Sequence, residues 1–152
     1  MFDNIVKNVG DNLRIMYINY PCQYNSDSAP LQSLGYLGTV SESLGCSVDL
    51  MDANFRFNPR TTGDIVSQIR KRKPHLIGMT LYTQTVLYGY GLLEQLKDTF
   101  SDCLYLAGGP HATILPHETL QHGFDIACRG EGERVIANII GFLRRENGNL
   151  HP

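Results

Sequence analysis

Apolar residues follow two alternating rhythms along this chain. Short β-prone runs appear at Leu13-Arg-Ile-Met-Tyr-Ile-Asn19, Ser47-Val-Asp-Leu-Met-Asp52, Leu76-Ile-Gly-Met-Thr-Leu81, Leu104-Tyr-Leu-Ala107 and Asp125-Ile-Ala-Cys-Arg129, and each reads as a strand. Between them, apolar side chains recur at helical spacing. Leu34, Leu37, Val40 and Leu44 mark a first helix that stops at Gly45. Ile65, Val66 and Ile69 mark a second, ended by the basic run Arg70-Lys-Arg-Lys73 and Pro74. Leu93, Leu96 and Phe100 give a third, and a short one is predicted over 115–121. Ile136, Ile139, Ile140 and Leu143 fall at i, i+3, i+4 and i+7 in the last.

Strands alternating with helices predict an α/β three-layer fold on a five-stranded parallel sheet. The flavodoxin-like order 2-1-3-4-5 is expected, with its switch point between strands one and three. Residues 1–12 read as an N-terminal arm, 13–146 as one domain and 147–152 as a linker stub. This topology brings three loops to one rim, over 20–30, 82–85 and 108–113. Ligands of open α/β sheets bind outside the carboxyl ends of the strands, so the site is expected there.

The rim residues suit holding a ligand better than transforming one. Gly108 and Gly109 leave bare backbone, Pro110 fixes φ after them, and Thr113 is expected to cap the next helix. Hydroxyls come from Thr80, Tyr82, Thr83 and Thr85, and aromatic or apolar surface from Tyr20, Tyr24 and Leu81. There is no Walker lysine, no Ser-His-Asp candidate and no paired carboxylates at this rim. Such a lining suits a large, partly apolar cofactor with a polar tail. Asp52 could meet a ribose hydroxyl, but no glycine fingerprint follows the first strand, so it reads as a loop or cap residue. The pairs Gly89/Gly91 and Gly130/Gly132 do not continue as GxGxxG after a first strand. A phospho-receiver would need acidic residues where Asn19-Tyr-Pro-Cys22 stands.

Of the five histidines, His111 alone lies near the predicted site; a histidine in a turn more often bonds local backbone. His75, His117, His122 and His151 read as surface or cap residues. Glu131 and Glu133 precede or open the last helix, where carboxylates favour the positive dipole end. Cys22 could neighbour a soft metal, though a buried inert thiol is the ordinary state. No residue is assigned a catalytic role.

Composition narrows the classes further. The chain has 152 residues with a net charge of −2, which points to neither nucleic acid nor an anionic membrane as a partner. No apolar run approaches the length of a membrane span, and Met1-Phe-Asp-Asn opens no signal-peptide pattern, so a cytoplasmic setting is expected. The four cysteines show neither CxxC nor CxxxCxxC spacing.

Five segments, taken together, resemble the N-terminal cobalamin-binding domain of cobalamin-dependent radical S-adenosylmethionine enzymes, the group that includes anaerobic magnesium-protoporphyrin ester cyclases. They are Ala29-Pro-Leu-Gln-Ser-Leu-Gly-Tyr-Leu-Gly38, Leu50-Met-Asp-Ala-Asn54, Arg72-Lys-Pro-His-Leu-Ile-Gly-Met-Thr80, Gly108-Gly-Pro-His-Ala-Thr113 and Cys128-Arg-Gly-Glu-Gly-Glu133. They occur in the family's order over nearly the whole chain. The resemblance implies a cobalamin-binding-domain type of flavodoxin-like fold. It also implies that the loops after strands one, three and four hold cobalamin and its nucleotide tail. The residues expected at the cofactor are Tyr20, Pro21, Thr80, Tyr82, Thr83, Thr85, Gly108, Gly109, Pro110, His111, Ala112, Gly130 and Glu131.

Methionine-synthase-like domains carry Asp-x-His-x-x-Gly after the first strand, and its histidine ligates cobalt. Here that place reads Asn19-Tyr-Pro-Cys-Gln-Tyr24, so the resemblance implies cobalt without a histidine ligand. It implies a partner as well: a C-terminal radical S-adenosylmethionine domain carrying the 4Fe-4S cluster and S-adenosylmethionine, whose CxxxCxxC motif this chain lacks. The methyltransferase or cyclase activity would belong to that assembly and not to this chain alone. Two alternatives stay open. One is a cofactor-free interaction or scaffold domain of the same descent, for which Gln32-Ser33 in place of a Gly-Leu-like helix start leaves room. The other is a flavodoxin-like protein that binds flavin or a nucleotide.

Overall fold

A computed structural model describes residues 12–21, 32–55, 57 and 59–146. The predicted arm, most of the loop over 20–30 with Cys22 and Tyr24, and the stub with His151 lie outside the described residues. Five parallel strands form one sheet in the order β2-β1-β3-β4-β5. These are β1 (Arg14–Asn19), β2 (Ser47–Asp52), β3 (Leu76–Thr80), β4 (Leu104–Gly108) and β5 (Ile126–Ala127). The helices are α1 (Gln32–Ser43), α2 (Thr62–Arg72), α3 (Val86–Thr99), α4 (Gly109–Ile114), α5 (Pro116–Gln121) and α6 (Gly132–Glu146), with a 3₁₀ turn at Thr83–Thr85.

Strand alternation divides the core into two layers. Met16, Ile18, Ile77, Met79, Tyr105 and Ala107 face one side, where Ile65 and Ile69 of α2 and Leu92, Leu93 and Leu96 of α3 cover them. Ile15, Tyr17, Leu76, Leu104 and Leu106 face the other, against Leu34 of α1 and Ile136, Ile140 and Leu143 of α6. The middle strand β3 is buried along its whole length, as a parallel strand covered on both faces should be. Helix α2 starts on a reciprocal capping box. The Thr61 hydroxyl accepts from the Asp64 N–H, while the Asp64 carboxylate accepts from the Thr61 N–H.

Several sequence-based expectations need correction. Thr113 caps nothing: it lies inside α4, a helix that opens at Gly109 with Gly108 as its N-cap. Gly109 takes φ +88° and turns the chain straight from strand into helix. Pro116 then opens the separate α5, so six α-helices are found among the described residues where five were expected. Strand β5 is only two residues long; just before it the Asp125 carboxylate accepts from the Tyr105 N–H at 2.8 Å. Asp52 ends β2 instead of a loop, and its carboxylate accepts from Asn19 Nδ2 at 2.7 Å. His75 is buried, not a surface residue. Val66, expected to be buried, is half-buried and packs against the core.

Candidate functional site

At the carboxyl ends of β3 and β4 the sheet opens on its α1/α6 side into a cavity of about 160 Å³. Register explains the opening. Tyr17, Gly78 and Leu106 stand opposite one another across β1, β3 and β4, and two residues further on Thr80 stands opposite Gly108. A Cβ on Gly108 would meet no atom within 4 Å, so the missing side chain is empty space against the sheet. Leu34 and Leu37 of α1 wall one side, and Cys128 with Gly130-Glu-Gly-Glu133 at the start of α6 walls the other. Ser33, Thr80, Glu131 and Glu133 supply the polar groups.

Thr80 is 8% exposed and its hydroxyl has no hydrogen-bond partner among the described residues. Its methyl lies against Gly109, where a Cβ would come within 2.9 Å of Thr80 Cγ2. A hydroxyl that stays reachable at the wall of an apolar cavity is a ready partner for a ligand. The Cys128 thiol is pushed up by burial and by the neighbouring carboxylates of Glu133 and Glu131, which keeps it protonated and inert. Burial likewise holds the Tyr17 hydroxyl well above its usual range.

Thus Thr80, Gly108, Gly109, Gly130 and Glu131 from the expected set converge on one cavity. Tyr20, Thr83, Thr85 and His111 do not line it; they form hydrogen bonds among rim elements on the α3/α4 side. The Tyr20 ring is 2% exposed and its hydroxyl bonds Thr85 Oγ1 at 2.9 Å. His111, 2% exposed, holds Thr83 Oγ1 at 3.2 Å through Nδ1 and the Tyr90 hydroxyl at 3.0 Å through Nε2. The Tyr90 hydroxyl donates to Glu118 Oε1 at 3.3 Å, so it accepts from His111 Nε2–H. Both ring nitrogens of His111 are therefore engaged with side chains, not with the local backbone.

Ala112 is fully buried beside His111. Pro21, Tyr82 and Pro110 stand at the rim outside the cavity lining. Thr113 joins two rim segments: its Oγ1 donates to Gly109 O and accepts from the Gly130 N–H, each at 3.0 Å.

The residues that sequence reasoning missed are Tyr17, Ser33, Leu34, Leu37, Gly78, Met79, Leu106, Cys128, Gly132 and Glu133. Most had been read only as core positions. The available signal was register: with the strand order written out, the glycine at 78 falls between Tyr17 and Leu106. Among the described residues, no three His, Cys, Asp or Glu side chains group as a metal site. No helix among them is long and apolar enough to cross a membrane.

The model of the B12 binding domain family matches residues 27–140, and the chain belongs to that family. An anaerobic magnesium-protoporphyrin IX monomethyl ester cyclase of Synechocystis is 28% identical over 144 residues, covering 89% of this chain and 28% of that protein. An uncharacterized methyltransferase of Pyrococcus horikoshii is 29% identical over 105 residues, 59% of this chain and 23% of that one. The cobalamin-dependent S-adenosylmethionine radical enzyme OxsB, solved with aqua-cobalamin and S-adenosylmethionine, superposes with a TM-score of 0.76 at 17% identity. That superposition covers 90% of this chain and 19% of OxsB, and it shows a shared fold. The chain thus spans under a third of the length of each of these proteins.

Proposed function

We propose that this chain is the cobalamin-holding module of a radical S-adenosylmethionine system, and that the cavity between α1 and α6 receives the cofactor's nucleotide tail. The observation that carries this reading is the open space at Gly108, which lets a flat group slide between the end of β4 and the two helices. The cavity is smaller than the roughly 300–1,000 Å³ of a whole small-molecule site. It therefore takes one arm of a large ligand, and the remainder lies over the rim. Thr80 supplies a hydroxyl to the tail, and Gly109 and Gly130 let backbone come close. Pro21, Tyr82 and Pro110 are placed to meet the corrin, while Tyr20, Thr83, Thr85, His111 and Ala112 hold the rim loops in position.

When bound, cobalamin supplies a cobalt centre that can carry a methyl group or exchange electrons. With both nitrogens of His111 engaged, and no histidine in the segment after β1, neither of these two places offers cobalt a histidine ligand. Radical chemistry requires the cluster and S-adenosylmethionine of a separate domain, which is the partner we assign. In this reading the module is 13–146, with 1–12 as an N-terminal arm and 147–152 as a linker stub.

The test is an anaerobic titration with hydroxocobalamin, read by visible absorption and gel filtration. Co-elution with a base-off spectrum is expected. Gly108→Val has room to fold, since φ −130° and ψ −170° suit valine and no atom is near. It should lower affinity at least about tenfold by filling the cavity. A histidine-like spectrum would overturn the ligand assignment. A folded protein that binds no cobalamin would favour the scaffold reading.

A further inference from the structure

The floor of the cavity is the row Tyr17–Gly78–Leu106. The Tyr17 ring leans across Gly78: a Cβ there would come within 2.6 Å of Tyr17 Cδ1 and 2.9 Å of Cε1, and 3.9 Å of Leu106 Cδ2. The ring is 1% exposed. Its hydroxyl is not turned to a ligand. Ser41 Oγ donates to Leu37 O at 2.8 Å, so it accepts from the Tyr17 hydroxyl, also at 2.8 Å. The floor thus presents ring carbons and a leucine, and Leu34 and Leu37 extend the same hydrocarbon lining upward. Polar groups stand at the upper row and the mouth, at Thr80, Ser33, Glu131 and Glu133.

We propose that the floor Tyr17–Gly78–Leu106 selects corrinoids by the polarity of their lower base, accepting a hydrocarbon-edged fused ring and rejecting a purine. This rests on the tail-site reading above. The six-membered ring of dimethylbenzimidazole carries carbons and two methyl groups. Adenine carries two ring nitrogens and an amine in the corresponding ring. Lowered onto this floor those atoms lose water and find no partner, because the one hydroxyl of the row is bound to Ser41. An apolar pocket that leaves a ligand's polar groups unpaired disfavours it by roughly 10–10²-fold against a ligand of the same shape.

The experiment compares three cobalt corrinoids on the whole chain by anaerobic titration: cobalamin, its adenine-base analogue, and cobinamide, which has no base. Wild type is expected to bind cobalamin at least about tenfold more tightly than the adenine analogue. Tyr17→Phe should keep that ratio, since the hydroxyl faces Ser41. Leu106→Asn gives the floor a hydrogen-bonding group and should cut the ratio to about threefold or less, leaving cobinamide affinity unchanged. Should Leu106→Asn fail to fold, Leu34→Gln on the adjoining wall and the wild-type ratio carry the test. Equal binding of the two base-bearing corrinoids, both tighter than cobinamide, would overturn the selection and leave the tail site standing. A ratio that collapses in Tyr17→Phe would also overturn it. Cobalamin binding no tighter than cobinamide would overturn the tail site and the selection with it.

Discussion

At the scale of single residues, the histidines show what local sequence can and cannot carry. His75 sits between Pro74 and β3, a position that reads as a cap, yet its ring is 7% exposed. Its Nδ1 accepts from the Arg14 N–H at 3.1 Å, a contact between positions 61 residues apart that no local pattern announces. Burial first, and the Arg14 guanidinium second, lower its pKa from 6.5 to about 4. The native state therefore holds His75 neutral, whereas the unfolded chain protonates it near its ordinary value. The stability this contributes is complete above pH 6.5 and is lost as pH falls from there through about 4. Discounted for partial solvent access, the loss is on the order of 1–2 kcal/mol. Thermal melts at stepped pH should show wild type losing more stability across this window than His75→Gln. Parallel curves for the two proteins would refute the assignment. His111 stood out in the sequence by its glycine neighbours. Its partners Tyr90 and Thr83 come from α3 and from the 3₁₀ turn before it, so its role as a tie between rim loops could be seen only once these were in place beside α4.

At the scale of elements, every strand was legible as a run of β-prone residues, and the helices were legible as apolar stripes. The sheet order followed from the alternation of the two. The junction after β4 was not, because it hangs on one backbone angle. Leu81 N–H reaches Gly108 O at 2.8 Å and His111 N–H reaches Leu81 O at 3.1 Å, so Leu81 is clamped to the turn by both its polar groups. Gly109 turns between them at φ +88°, and a Cβ there would lie 2.8 Å from Leu81 O and 3.1 Å from Leu81 N. Backbone cannot yield as a side chain tip can. Gly109→Ala is expected to cost about 2–3 kcal/mol from the strained φ and the overlap together. For a domain of this size that is roughly 5–10 °C in Tm. Gly108→Ala, one residue earlier and facing open space, should leave Tm within about 2 °C, since surface-like substitutions without strain stay near ±0.5 kcal/mol. Calorimetry on the pair separates the two glycines. Equal melting temperatures would show that the turn tolerates a side chain and that the close approach at Leu81 does not matter.

At the scale of the whole molecule, the sequence pointed to the rim at which a cavity is found but could not say on which side of the sheet it opens. The hydroxyl-rich 82–85 turn drew attention to the α3/α4 side, where Tyr20 is bonded to Thr85 and His111 to Thr83. The cavity lies on the opposite side, assembled by Leu34 and Leu37 of α1, the ends of β3 and β4, and the start of α6. Those segments are about a hundred residues apart at their extremes, and only the folded sheet brings them together. A ligand seated there bridges parts of the chain that no local contact joins, so it should suppress opening motions in all of them at once. Hydrogen exchange with and without hydroxocobalamin is therefore expected to slow most at 33–37, 106–109 and 128–133. It should slow less at 83–85 and around His111, whose side chains are already held in the unliganded fold. In Gly108→Val the slowing over the first three segments should disappear under the same conditions. Protection centred on 82–85 and 111 instead would place the tail on the α3/α4 side and reassign the cavity as a packing gap between α1 and α6.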